Sequence, residues 1–156
     1  MRMGLLFGVV ALPLLFMPAF LAADDKKDDA VKEELKKFEG TWKIKSMEVG
    51  GQELPAEARD KMRLVFKGDK LTMKGAPDGD KETTFTIDPS KKPGHIDIQP
   101  PKGEKSALVG IYKFDNNMLV ICGSEAGARP GDFTTKGGKD VGMMTLERLK
   151  EEKGKE

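Results

Sequence analysis

Residues 62–74 read MRLVFKGDKLTMK. Met62, Leu64 and Phe66 alternate with Arg63, Val65 and Lys67, the period-2 pattern of a strand with one buried face. Gly68-Asp69 then forms a two-residue loop suited to a tight hairpin, and Leu71 and Met73 carry the chain back. The same device recurs on both sides. Upstream, alternation over 42–49 places Trp42, Ile44 and Ser46 on one face and stops at Gly50-Gly51; Pro55 and one helical turn over 56–61 lead to Met62. Downstream, Asp78-Gly79-Asp80 makes a turn, and Thr83, Phe85 and Ile87 alternate as far as Asp88-Pro89. Ile96 and Ile98 then alternate up to Pro100-Pro101. Residues 107–114 are apolar on both faces, which predicts a strand covered on both sides. Asp115-Asn116-Asn117 suits a tight turn because Asn tolerates positive φ. Residues 118–122 return, a Gly-rich loop occupies 123–140, and 141–149 closes the series. Some eight short strands at 8–12-residue spacing predict an antiparallel meander, which can close on itself and so remove its edges.

Ahead of the first strand, Val31, Leu35 and Phe38 recur at the spacing of one helical face, and Gly40 ends that pattern. A short helix is expected to lead into a domain covering 31–150. Residues 24–29, DDKKDD, hold nothing that can be buried, so 24–30 reads as a charged disordered spacer. A charged tail is assigned to 151–156. The first 23 residues contain one charge, Arg2, then an apolar run over 5–21 and Ala22-Ala23 before the acidic spacer. That is the layout of a secretion signal. Pro13 and Pro18 inside a short run argue against a retained anchor. The residue at −3 is Phe20 for a cut after Ala22 and Leu21 for a cut after Ala23, so the small-residue pattern does not choose between them. The expected location is the periplasm or the extracellular space.

Removing 23 of the 156 residues leaves 133, enough for one core. Of 27 basic and 26 acidic residues only Arg2 is lost. A balanced, interspersed surface lacks the footprint of a nucleic-acid binder or of an anionic-membrane binder, leaving the uncleaved signal as the one expected membrane contact. Cys122 is the only cysteine, so an internal disulfide is impossible and a lipid-modified junction is excluded.

Gly40-Thr41-Trp42, between a short helix and the first strand, resembles the Gly-x-Trp signature of lipocalin-like barrels. The stretches GTWKIKSMEVGGQELP, RLVFKGDKLTMK, IDPSKKPGHIDI and LVGIYKFDNNMLVIC, then ARPGDF ahead of a final strand ending in Arg148, are similar in order to an exported planctomycete lipocalin-like domain family of unknown function. The resemblance covers about 35–149. It implies an all-β, lipocalin-like (calycin-type) antiparallel barrel of about eight short strands with a short N-terminal helix, and it implies no activity. It carries over Gly40, Trp42, Arg129, Pro130, Phe133 and Arg148 in structural roles, with Trp42 plugging one end and Arg148 packed over it. The further middle motif of true lipocalins is missing.

Catalytic signatures are weak. The only histidine, His95, and the only thiol, Cys122, fall on the fifth and seventh predicted strands, about 10 Å apart at ~4.8 Å per strand unless they meet across the interior. A lone Cys reads as a small buried hydrophobe. Nucleophile elbow, Walker loop and dinucleotide fingerprint are missing, and no cofactor is implied. Asp78, Asp80 and Glu82 open with calcium-loop spacing, but Thr83 and Pro89 stand where Gly and a bidentate Glu are required. Met47, Met62, Met73, Met118, Met143 and Met144 read as core fillers rather than copper ligands, being spread singly over strands apart from Met143-Met144, which point to opposite faces.

Two function classes remain: a non-catalytic binding or interaction module of the cell envelope, and a carrier of a small apolar ligand. An enzyme is the weakest reading. Interior volume decides between the first two, since an eight-stranded barrel either just fills with side chains or holds one small ligand. The expected inward set of Trp42, Phe66, Phe85, Ile96, Ile98 and either Tyr112 or Ile111 favours filling.

Overall fold

The computed structural model describes residues 22–103, 106–136 and 138–150. Helix α1 (Ala22–Phe38) leads into β1 (Gly40–Val49), β2 (Gln52–Glu53), the single turn α2 (Ala56–Arg59), and then β3 (Arg63–Lys67), β4 (Lys70–Lys74), β5 (Lys81–Asp88), β6 (Gly94–Ile98), β7 (Leu108–Asp115), β8 (Met118–Ser124) and β9 (Val141–Arg148). Every strand pairing is antiparallel, in the order β2-β1-β3-β4-β5-β6-β7-β8-β9, and β9 pairs back onto β1. The fold is a closed eight-stranded lipocalin-like barrel built from β1 and β3–β9, with β2 as an extra strand.

Local chemistry sets most of the corners. Gly50 (φ 57°) and Gly51 (φ 83°) both take positive φ between the register partners Val49 and Gln52, the requirement of a two-residue type I′ hairpin. The chain therefore turns at once into β2, which is too short and too polar to be legible as a strand. Asn116 adopts φ 55° in the β7–β8 turn.

Two expectations are corrected. Residues 24–30 are helical rather than a disordered spacer, since α1 begins at Ala22. Residues 26–30 are all exposed, so they bury nothing. The helix extends outward from an anchored C-terminal half, helped by the Asp29–Lys32, Glu33–Lys36 and Glu34–Lys37 pairs one turn apart. The second correction is on β1. Its register against β9 shifts between Ile44 and Ser46, so Ile44 pairs with Leu146, Ser46 with Thr145 and Met47 with Met144. This bulge turns Ser46 to the outer face, and Met47 and Val49 follow Trp42 and Ile44 into the barrel. The expected leader, apart from Ala22 and Ala23, and the expected tail at 151–156 lie outside the described residues.

The long apolar run of β7 divides between two environments. Tyr112 joins the barrel core with Trp42, Phe66, Phe85 and Ile96, while its neighbour Ile111 is buried on the opposite face beside its register partner Cys122. Residues 125–136 cover that outer face. Arg129 fastens this loop by donating to the carbonyls of Ile96 and Gly110 and pairing with Asp97 at 2.7 Å. The half-buried Phe133 ring lies 4.7 Å beneath the Lys113 ammonium, and Pro130 is half-buried between these anchors.

Candidate functional site

The two ends of the barrel are built from different side chains. At one end α1 drops Phe38, fully buried, into the centre of the barrel. Its ring centroid lies 4.9 Å from Tyr112, 5.0 Å from Phe114, 5.5 Å from Phe85 and 5.6 Å from Phe66. Trp42, 1% exposed, donates its indole N–H to the Phe38 carbonyl at 2.7 Å. The Arg148 guanidinium stacks over the Trp42 ring at 4.2 Å and also donates to the carbonyls of Glu39 and Lys37, satisfying the C-terminus of α1. Gly40 lets this happen: at φ 121° it adopts a conformation other residues resist, and a Cβ there would stand 3.0 Å from the Arg148 guanidinium. Tyr112 donates to Glu34 of α1 at 3.2 Å, and burial together with that carboxylate pushes its pKa up. This end is closed and filled.

The opposite end is not. Two adjoining, mostly apolar cavities of about 250 and 200 Å³ open there, sharing Leu108, Ile121, Glu125 and Met144 as walls. The first lies against Met47, Val49 and Gly142, and the second reaches down to Leu64, Leu71, Met73 and Ile98. Polar groups stand at the rim. Lys81, paired with Asp78 at 3.7 Å, and Thr83, which donates to the Gln99 carbonyl, border the second cavity; Lys139 and Asp140 border the first. Small residues help keep the space open. The inward rows of β7, β8 and β9 place Gly110, Gly123 and Gly142 side by side in register, and Leu108 folds over Gly123 where a Cβ would meet it at 2.3 Å. The expectation of a filled interior thus holds for the aromatic half and fails for this one, because three adjacent strands contribute no side chain at the glycine row.

A larger depression of about 830 Å³, bordered by Lys36, Lys67, Arg148 and Lys150, is an open surface groove outside the aromatic end. The apolar mouth is the better candidate, since ligand sites are concave and mostly apolar with a few polar groups at the edge.

Of the chemistry-bearing residues singled out in the sequence, His95 and Cys122 occupy one cross-strand row with Ile111 between them, on β6 and β8. That row spans about 10 Å. Both face the outside of the barrel, not its interior. Cys122 is fully buried under the loop, with its thiol 3.8 Å from the Thr134 carbonyl, and burial raises its pKa. It is neither paired with a base nor ionised at neutral pH. Asp80 accepts from the Gly75 N–H at 3.0 Å and so shapes the β4–β5 turn. The cavity itself left no trace in the composition, and the methionines lining it were the available signal. No family model, curated protein or solved structure matches the chain.

Proposed function

We propose that the protein is an exported, non-catalytic binding module of the lipocalin-like kind, which receives a small apolar molecule in the open end of its barrel and works in the cell envelope. The observation that carries this reading is the asymmetry of the interior: a closed barrel sealed by aromatics at one end and lined by Met47, Met73, Leu108, Ile121 and Met144 around empty volume at the other. Methionine walls suit a ligand of irregular shape, because the thioether side chain is unbranched and adapts. The ordered motifs of the sequence and the signal-like leader support the export and family parts of the proposal.

The test uses the fluorescent apolar probe N-phenyl-1-naphthylamine. Gly142 has ordinary φ, and a Cβ there would meet its nearest neighbours, the Glu48 carbonyl and Val49, at 3.7 Å, so Gly142→Leu fills the first cavity without straining the strand. Expected are a blue-shifted, enhanced probe signal with the wild type and affinity weaker by about tenfold or more, ~1.4 kcal/mol, in Gly142→Leu. Equal binding by both, or binding abolished by Phe133→Ala on the outer loop instead, would place the site elsewhere. N-terminal sequencing of exported material checks the processing: it should begin at Ala23 or Asp24, and a start at Met1 would overturn that part.

A further inference from the structure

We propose that the open end of the barrel is also a site for a soft monovalent cation, Cu(I) or its redox-inert stand-in Ag(I), held by the thioethers of Met47, Met73 and Met144. Read along the chain these methionines are isolated. The fold brings them together: Met47 and Met144 are direct register partners across β1 and β9, and Met73 and Met144 wall the same cavity. Directly opposed residues hold their Cβ atoms about 4.5–5.5 Å apart, and each flexible side chain can swing its sulfur onto a shared ion. Met62, by contrast, is buried in the core, whereas these three are half-buried and border empty volume open to solvent.

The donor set selects the ion. Thioether sulfur is soft and neutral, and it favours Cu(I) and Ag(I) over magnesium, calcium or zinc. The usual competing donors are absent from the walls, since His95 and Cys122 lie on the outer face of the sheet. Neutral donors in an apolar cavity suit a single positive charge better than a double one, because the desolvation cost rises steeply with charge. Glu125, which borders both cavities, and Asp140, which borders the first, stand at the rim beside Lys81 and Lys139, so the rim carries both signs and the thioethers, not its charge, select the ion.

A thioether has no proton to lose, so this site differs in kind from a thiolate or imidazole site, whose affinity falls with pH. Titration of the purified protein with Ag(I) in chloride-free buffer, followed by native mass spectrometry and by the 13C-labelled methionine methyl resonances, tests it. One ion per chain is expected, with the Met47, Met73 and Met144 methyls shifted, Met118 unmoved, and the same affinity at pH 5.5 and 8. Met144→Leu conserves volume and should weaken binding by at least about tenfold, as losing a ligand is more severe than losing an outer-shell partner, which costs roughly 10–100-fold. Met118→Leu should bind as the wild type does. Wild-type affinity in Met144→Leu, loss of binding in Cys122→Ser, or affinity that climbs with pH would each overturn the proposal. The titration contains no organic ligand, so failure of the naphthylamine experiment leaves it standing, and the reverse also holds.

Discussion

The aromatic end and the methionine end of this barrel are enclosed by the same eight strands yet solve opposite packing problems. At the first, Phe38, Trp42, Phe66, Phe85, Tyr112 and Phe114 interlock at centroid separations of 4.9–6.5 Å, and a helix is pinned across them by Arg148 and Glu34. Rigid rings in tilted and edge-on contact add about 0.5–1.5 kcal/mol per pair beyond the area they bury. At the second, flexible thioethers and a row of glycines leave space. The comparison teaches a division of labour: stability concentrates where the barrel is filled, which frees the other end to stay underpacked and available to a ligand.

Truncation should separate the two ends most sharply. Trp42→Ala removes the largest fully buried side chain and should cost about 3–5 kcal/mol, read by urea denaturation with far-UV circular dichroism. Met144→Ala merely enlarges a cavity that already opens to solvent, and should fall at or below ~2 kcal/mol, the low end for buried methionine. Equal losses would dissolve the distinction.

Arg148→Lys should have a smaller and localised effect. The ammonium keeps the charge over Trp42 but cannot reproduce the planar fork that reaches the Lys37 and Glu39 carbonyls. A loss of about 1–2 kcal/mol is expected on the scale of a partly desolvated cation–π contact. Hydrogen exchange should quicken in α1 and stay unchanged in β8 and β9 near the mouth. Uniform quickening would mean that Arg148 holds the barrel closed rather than the helix down.

Tyr112→Phe should have the smallest effect, about 1 kcal/mol at neutral pH for one lost hydrogen bond. Its pH dependence is more telling. Burial first, and then the charge of Glu34, raises the Tyr112 pKa above the unfolded value of about 10. The fold therefore favours the neutral phenol. That contribution is fully present below pH ~10 and is lost as pH climbs toward the raised folded value. Tyr112→Phe should flatten stability in this alkaline window. Cys122, also raised by burial, contributes its own alkaline loss from about pH 8.5 in both proteins and cancels in the difference. A Tyr112→Phe profile parallel to the wild type above pH 10 would show the phenol to be solvated, and the aromatic end less dry than its packing indicates.

Much of this architecture was legible residue by residue. Alternation, and for β7 a run apolar on both faces, located the barrel strands, and Gly50-Gly51, Gly68-Asp69 and Asn116-Asn117 marked hairpin corners because each supplies a conformation that ordinary residues avoid. The inward assignment of Trp42, Phe66, Phe85 and Ile96 follows from the same period. The candidate site was not legible. Ser46 belongs to the inner face by strict alternation, and one extra residue at the β1 bulge hands that wall to Met47. The choice between Tyr112 and Ile111 was equally open, both being large and apolar. The start of α1 was misread for another reason: an apolar-free segment has no helical face to show, although its charge pairs extend a helix already anchored at Phe38.

By itself, then, the sequence determined what is local: a strand-rich antiparallel chain, the corners of its hairpins, and a run of aromatics set to face inward. Hydrophobic period and turn chemistry act over a few residues, and they can be read wherever those residues stand. The tertiary structure alone decided how β1 meets β9 across some hundred residues of chain, where the bulge falls, and which face of β7 the loop at 125–136 would cover. Closure of the barrel sets those registers: β9 must pair with β1, and the bulge between Ile44 and Ser46 fixes which residues beyond it face inward. As a result Met47 faces Met144 across β1 and β9, and Met144 in turn shares the wall of the neighbouring cavity with Met73.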